Sequence, residues 1–153
     1  MQALNTSENK TSTDLCWGDA LDSGICSIDS QHHALIALIA CFDKAHAAGH
    51  NTQALADVLP QLETYALLHF DEEESLMKGL VGEDAFVRIH IAQHGEFISK
   101  IRQLAAQRRY HDDTQTAQAL ARYLHKWLFQ HIATTDAVLS SKLLEQNPLL
   151  STR

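Results

Sequence analysis

The sequence predicts an all-α protein: an antiparallel up-down-up-down four-helix bundle preceded by an extended N-terminal arm. Three observations support this fold class. Apolar residues recur with a helical period over four long segments. No stretch of useful length shows the period of two that is typical of a β-strand. Short polar breaks, such as GHNT (49–52) and HDDT (111–114), separate the segments, and helices joined by short loops pack antiparallel to their neighbours.

Capping residues and helix breakers give the predicted bounds of the four helices, which are about 29–48, 52–78, 83 or 84 to 109, and 113–146. Asp29 or Ser30 is expected to cap the first helix, and Gly79 to follow the end of the second. Pro60 lies inside the second helical pattern. We expect either a kink there or a short lead-in helix that restarts.

The chain divides into three parts. Residues 1–14 are polar and are expected to be disordered or loosely attached. The bundle domain is predicted to cover residues 15–146; its first part, 15–28, forms the arm, and Trp17 is expected to plug one end of the core. Residues 147–153 (NPLLSTR) form a tail or linker whose two leucines have no obvious place to pack.

Composition excludes several classes of partner. The net charge is −7, whereas binding to nucleic acid or to anionic membranes requires clustered basic side chains. No apolar run is long enough to span a bilayer, and the polar N-terminus lacks a secretory signal. We therefore expect a cytoplasmic protein with no nucleic-acid or membrane partner. The cysteines (Cys16, Cys26 and Cys41) are interpreted as reduced thiols, with Cys41 in a helix core.

Histidines and carboxylates recur at helical spacings that favour a metal site. His69 and Glu73 are four residues apart, as are His90 and His94, so each pair shares one helix face. His32 lies early in the first predicted helix, and two further candidates lie late in the fourth. Neighbouring helices of the bundle run in opposite directions. Residues early in the first and third helices and late in the second and fourth therefore lie at the same end of the bundle. The candidate metal ligands are His32, His69, Glu73, His90, His94, His131 and Asp136.

Seven ligands of this mixture suit two metal ions and exceed what one ion can use. A carboxylate can bridge two ions because each of its oxygens can bind a different ion, whereas an imidazole is a terminal ligand of one ion. Imidazole favours iron, zinc, copper or nickel over calcium and magnesium, and a closed structural zinc site would usually include cysteine. We expect two Fe ions with a bridging oxo or hydroxo group, which leaves one coordination position open for O₂.

Asp136 follows His131 by five residues, which places the two side chains about 140° apart on an ideal α-helix. Either Asp136 reaches across to the site or the helix widens there. We predict a π-helical turn, because a π-helix brings residues i and i+5 together.

At these residues the sequence resembles a bacterial hemerythrin (bacteriohemerythrin) domain of the hemerythrin-like family. The matching segments, which span about residues 15–145, are WGDALDSGICSIDSQH (17–32), HFDEEESLM (69–77), HIAQHGEF (90–97) and WLFQHIATTD (127–136). The family often has a Gly-Tyr-Pro turn after the second segment; this chain has GLVGEDAF and a slightly longer spacer.

The resemblance implies a role for each candidate ligand. It implies that His90, His94 and His131 bind one iron, that His32 and His69 bind the other, and that both carboxylates bridge. It also implies that O₂ binds at the iron held by His32 and His69.

The leading hypothesis is reversible O₂ binding for oxygen sensing, storage or delivery, without catalysis by this chain. The alternative is an N-terminal oxygen or redox sensory domain of a larger signalling protein, such as a diguanylate cyclase or chemoreceptor, with a C-terminal output domain. A peroxidase or NO-handling enzyme is a third reading, although no general base or substrate-binding constellation is evident beyond the metal ligands.

Other residues near the pattern have plainer interpretations. Glu72 and Glu74 are expected to form a solvated acidic stripe. Aromatic and apolar neighbours either belong to the core or wall the site: Phe70, Met77, Phe97, Trp127 and Leu128. The remaining histidines are interpreted as surface residues: His33, His46, His50, His111 and His125.

Overall fold

The computed structural model describes residues 21–152, and this part of the chain folds into four long helices without a β-strand. The first three are α1 (Cys26–Ala47), α2 (Asn51–Met77) and α3 (Asp84–Gln107). The fourth helix, α4, covers residues 113–146 and changes its winding along its length. Its successive segments are α-helical Asp113–Tyr123, π-helical Leu124–Leu128, α-helical Phe129–His131, π-helical Ile132–Asp136 and α-helical Ala137–Gln146. The predicted all-α bundle is confirmed.

The helix bounds agree closely with the sequence pattern except at the start of α1, which begins three residues early. Asp29 does not cap that helix. Its carboxylate instead accepts hydrogen bonds from the backbone N–H groups of Ser23 and Gly24, at 2.7 and 3.2 Å. The negative side chain in the first turn therefore stabilises the helix start and ties the preceding arm to it. At the start of α4, in the HDDT segment, Asp112 caps the helix by accepting from the N–H of Thr114 at 2.6 Å.

Two further expectations are corrected along the first two helices. Pro60 lies within α2 without interrupting it, so the restarted helix is wrong, whereas the kink stays a prediction. The buried side chains of Val58, Leu59 and Leu62 outweigh the roughly 3 kcal/mol that an interior proline costs a helix. Cys41 is exposed and does not pack in the core, because its position on α1 faces away from the other helices.

The core consists of two apolar layers at different heights in the bundle. The larger layer includes Leu35, Phe70, Phe97 and Ile132, one from each helix. The smaller layer lies nearer the arm and includes Ile25, Ile28, Met77, Leu139 and Leu143. On every helix the predicted metal ligands fall between residues of the two layers. The fold therefore encloses one polar layer between two apolar ones.

The C-terminal residues fold back onto the arm. Leu150, in the 3₁₀ turn Pro148–Leu150, packs against the smaller apolar layer, whereas Leu149 is 92% exposed. The N–H and hydroxyl groups of Thr152 both donate to the carbonyl of Gly24, at 3.0 and 2.9 Å. One of the two tail leucines therefore has a packing site that the sequence did not indicate. Cys16, Trp17 and the predicted N-terminal tail lie outside the described residues.

Among residues 21–152, no helix has the length and apolarity required to cross a membrane.

Candidate metal centre

The structure brings all seven predicted ligands together in the polar layer. Each is at most 4% exposed, and together they occupy all four helices: His32 on α1, His69 and Glu73 on α2, His90 and His94 on α3, and His131 and Asp136 on α4. The i,i+4 pairs on α2 and α3 place both members on the inner face of one helix, as their spacing predicts. Burial of so many ionisable groups is costly unless they pair or bind metal.

The ligand atoms form two overlapping groups, and within each group all atoms lie within 4.8 Å of one another. The first group, which we call the three-histidine position, contains His90, His94, His131 and both carboxylates. The second, the two-histidine position, contains His32, His69 and the same two carboxylates. Glu73 and Asp136 therefore belong to both positions, which is the arrangement that bridging carboxylates require.

Each carboxylate directs its two oxygens toward different histidines. Glu73 Oε2 lies 3.0 Å from His94 Nε2 and 3.1 Å from His90 Nε2, while Glu73 Oε1 lies 3.2 Å from His69 Nε2. Asp136 divides its oxygens in the same way. Its Oδ1 lies 2.9 Å from His131 Nε2, and its Oδ2 lies 2.9 Å from His32 Nε2. One oxygen of each carboxylate thus faces each position.

Contacts between imidazoles and carboxylates shift the pKa values of four of the seven residues. Burial opposes a charged imidazole, but hydrogen bonds with Asp136 and Glu73 outweigh it and raise the pKa of His69 to about 9. The same causes raise the pKa of His90 to about 9. Burial likewise opposes ionisation of the two carboxyls, yet hydrogen bonds from the histidines hold the pKa of Glu73 and that of Asp136 below their usual range. These contacts therefore favour the ionised form of both carboxyls and the protonated form of His69 and His90.

Several inward-facing atoms fit a metal better than a proton. Glu73 Oε1, Asp136 Oδ1 and His131 Nε2 are buried and, although an imidazole or carboxylate atom lies 2.9 to 3.2 Å away, none of them makes a well-directed hydrogen bond among the described residues. His32 Nε2 and His69 Nε2 face each other at only 3.0 Å. Groups left in this way are destabilising by about 1–3 kcal/mol each, and coordination to a cation would satisfy them. The donor set of imidazole and carboxylate suits iron.

The five-residue step on α4 is accommodated by the predicted π-helical turn. Ile132–Asp136 is π-helical, so Asp136 returns to the face that His131 occupies. A second π-helical segment, Leu124–Leu128, precedes the site. The sequence did not indicate that segment, because it contains no candidate ligand whose spacing conflicts with an α-helix.

Three histidines are held from outside by polar side chains that the sequence analysis did not assign to the site. The Nδ1–H of His69 donates to Gln31 Oε1 at 2.8 Å, and that of His131 donates to Gln93 Oε1 at 2.8 Å. The Nδ1–H of His94 donates to Glu74 Oε1 at 2.9 Å. Such contacts fix the ring orientation and leave Nε2 free to bind a metal.

We expected Glu74 to form part of a solvated acidic stripe, but it contacts a ligand histidine instead. The prediction was wrong because it considered only the helix that carries each residue. Each of the three outer partners is adjacent in sequence to a ligand, and it contacts a ligand on a neighbouring helix. Adjacency to a ligand is a signal that could have identified them.

Aromatic rings cover the three-histidine position. Phe70 stacks on His94 with ring centroids 3.9 Å apart and planes at 8°. Trp127 stacks on His131 at 4.6 Å and 9°, and Phe97 contacts both aromatic neighbours. These residues are thus walls of the site as well as core residues, whereas Met77 belongs to the smaller apolar layer.

A cavity of about 190 Å³ reaches the two-histidine position. Its wall includes His32 and Asp136, together with arm residues Asp22 and Ser23 and Ala137 of α4. A larger cavity of about 540 Å³ lies at the opposite end of the bundle, around residues 49–54 and 112–114, and no candidate ligand lines it. The cavity beside His32 has room for a diatomic molecule. Two further cavities, of about 460 and 210 Å³, adjoin His94 and His131 of the three-histidine position.

The other histidines lie outside the centre. His33, His50 and His111 are exposed, as expected. His46 and His125 are half-buried, and each has a polar partner: His46 Nδ1 lies 2.6 Å from Asn51 Oδ1, and His125 Nε2 lies 2.7 Å from Asp43 Oδ2. The expectation that His46 and His125 are solvent-exposed was therefore wrong.

Known proteins with similar sequences support this centre. Residues 23–143 match the family model of the hemerythrin HHE cation-binding domain. Bacteriohemerythrins of Pseudomonas paraeruginosa and Pseudomonas aeruginosa are each 35% identical over 126 residues, which cover 80% of this chain and 77% of the relative. The bacteriohemerythrin of Stenotrophomonas maltophilia is 29% identical over 134 residues, covering 84% of this chain and 81% of the relative. The chain belongs to the hemerythrin family.

Proposed function

We propose that this protein binds O₂ reversibly at a non-haem di-iron centre, for oxygen storage, delivery or sensing. Two irons would occupy the three-histidine and two-histidine positions, with Glu73, Asp136 and an oxo or hydroxo group as bridges. The observation that carries the proposal is the inequality of the two positions. The two-histidine position has one protein ligand fewer, and the cavity of about 190 Å³ reaches the same side.

The chain's own residues favour binding over further reaction. An iron pair, when bound, supplies the two electrons that O₂ can accept. Phe70 and Trp127 stack on ligands of the three-histidine position and give it an apolar wall on those ring faces. Cavities of about 460 and 210 Å³ adjoin His94 and His131 there, but the position with one protein ligand fewer lies beside the cavity that His32 and Asp136 line. A dry wall slows irreversible oxidation, because solvent access controls the reactivity of such a centre.

Metal analysis and O₂ uptake test the proposal together. The purified protein, loaded anaerobically with ferrous iron, should hold two irons per chain and take up one O₂ for each pair. Lowering the O₂ pressure should release it. Rapid and continuous consumption of peroxide or NO by the same sample would favour the enzymatic reading instead.

A sensing role is a second candidate, which one contact favours. Thr152 is hydrogen-bonded to Gly24, and the adjacent Ser23 lines the cavity beside His32. A change in the cavity would therefore be transmitted to the residues that lead out of the bundle, and through them to an output domain where one follows. Hydrogen exchange of the Thr152 amide, measured with and without O₂, distinguishes the two roles: ligand-dependent exchange supports sensing, and unchanged exchange supports a carrier.

A further inference from the structure

The outer partners of three ligand histidines differ in charge. At the two-histidine position, His69 donates to the neutral amide of Gln31. At the three-histidine position, His131 donates to the neutral amide of Gln93, but His94 donates to the carboxylate of Glu74. Among the described residues, Glu74 is the one acidic side chain that contacts the outer nitrogen of a candidate ligand.

We propose that Glu74 is a positioning residue that makes the three-histidine iron easier to oxidise. This inference rests on the proposed di-iron centre. An imidazole whose Nδ1–H bonds to an anion is a stronger electron donor through Nε2, and a stronger donor stabilises the ferric ion. The Nδ1 proton stays on His94 throughout, and each iron gains one electron from the external reductant on passing from ferric to ferrous.

The surroundings of His94 keep this contact ordered. Its ring lies between the stacked face of Phe70 and the edge of His90, whose centroid is 4.5 Å away, so it cannot turn without displacing both. Glu74 is one-third exposed, which means that solvent screens part of its charge. The effect on the metal is therefore moderate.

The orientation of Gln93 supports the contrast. Its Oε1 accepts from the hydroxyl of Thr135 at 2.9 Å as well as from His131. These two donors fix the carbonyl oxygen, and not the NH₂ group, toward the imidazole. A carboxylate at position 93 would keep both bonds and add a negative charge to the same metal position.

Glu74→Gln keeps a hydrogen-bond acceptor and removes the charge, and the double variant Glu74→Gln/Gln93→Glu returns the charge to the same position. Glu72→Gln is the matched control, because Glu72 has no hydrogen bond with a ligand among residues 21–152 and the net charge changes equally. The measurement is a redox titration of the iron-loaded protein with reduced methyl viologen as the one-electron donor. Glu74→Gln should favour reduction by roughly threefold to tenfold, or about 30 to 60 mV for a one-electron couple.

The double variant should restore the wild-type midpoint, and Glu72→Gln should leave it unchanged. Equal shifts in Glu74→Gln and Glu72→Gln, or no shift in either, would overturn the proposal. Proton NMR of the zinc-loaded protein gives a readout without redox chemistry: the Nδ1–H resonance of His94 should move upfield in Glu74→Gln, and an unmoved resonance contradicts the contact. A wild-type protein that fails to bind two irons refutes the proposed centre itself, which is a separate result.

Discussion

His131 and Asp136 meet at 2.9 Å, between Nε2 and Oδ1, although five residues separate them on one helix. The π-helical segment Ile132–Asp136 makes this possible, because its wider turn aligns residues i and i+5. The consequence is that α4 supplies both a terminal ligand and a bridge, so that four helices suffice for seven ligands.

Replacing His131 by alanine should remove metal from the three-histidine position. The substitution takes away one of three imidazoles and leaves buried Asp136 Oδ1 with one of its two imidazole neighbours, which destabilises the loaded protein. Metal analysis should find clearly fewer than two irons per chain. His33→Ala is the control, since His33 is exposed, and its iron content should equal that of wild type. Two irons retained in His131→Ala would contradict the assignment.

The metal-free protein should lose stability as the pH rises. The pKa values of His69 and His90 are raised to about 9 in the folded state, whereas an unfolded histidine titrates near 6.5. Their stabilising contribution is therefore complete below about pH 6.5 and is lost as the pH passes about 9. Thermal unfolding followed by circular dichroism should show a fall in Tm of at least about 3 °C over this range.

Bound metal should counteract this loss of stability at high pH. Ions compete with the protons on His69 and His90, so metal binding releases protons and becomes tighter with rising pH. The Tm difference between the loaded and the metal-free protein should widen between pH 6.5 and 9. A constant difference would mean that these two histidines do not exchange protons for metal.

Trp127 should report metal loading through its fluorescence. Its ring stacks on His131 at 4.6 Å, close enough for ferrous or cobaltous ions at the three-histidine position to quench its emission. In a Trp17→Phe background, Trp127 is the remaining tryptophan, and loading should remove most of the signal. Zinc, which neither absorbs visible light nor exchanges electrons, is the control and should quench far less.

Filling the cavity should slow ligand entry. Ala137 lines the cavity that reaches His32 and Asp136, and Ala137→Phe would occupy much of that space. Stopped-flow measurement of O₂ association should show a rate lower by about tenfold or more, which corresponds to about 1.4 kcal/mol in the barrier. Val138→Phe changes an exposed neighbour that does not line this cavity, and its rate should remain near wild type. Equal rates in both variants would exclude this entry route.

Sequence spacing was sufficient to predict the four helices and the convergence of the seven candidate ligands. Each helix has a fixed period, so the faces of His69, Glu73, His90 and His94 follow from position alone. An ideal α-helix does not align His131 with Asp136, five residues later, and this mismatch predicted the local π-helical turn. These are properties of a single helix or of the order of helices.

The features that the sequence missed depend on how helices rotate against one another. Glu74 directly follows the ligand Glu73 and therefore lies on a different face of α2, yet it contacts His94 across the α2–α3 interface. The packing of Leu150 and the exposure of Cys41 likewise depend on which surfaces the neighbouring elements cover. Local periodicity carries no information on such contacts.

The most direct test of the central claim is the visible spectrum of the anaerobically reduced, two-iron protein before and after exposure to O₂. We expect a new absorption band to appear with O₂, to disappear under argon and to return over repeated cycles. A reduced two-iron protein whose spectrum is unchanged by O₂, or changes once and does not return under argon, would contradict reversible O₂ binding.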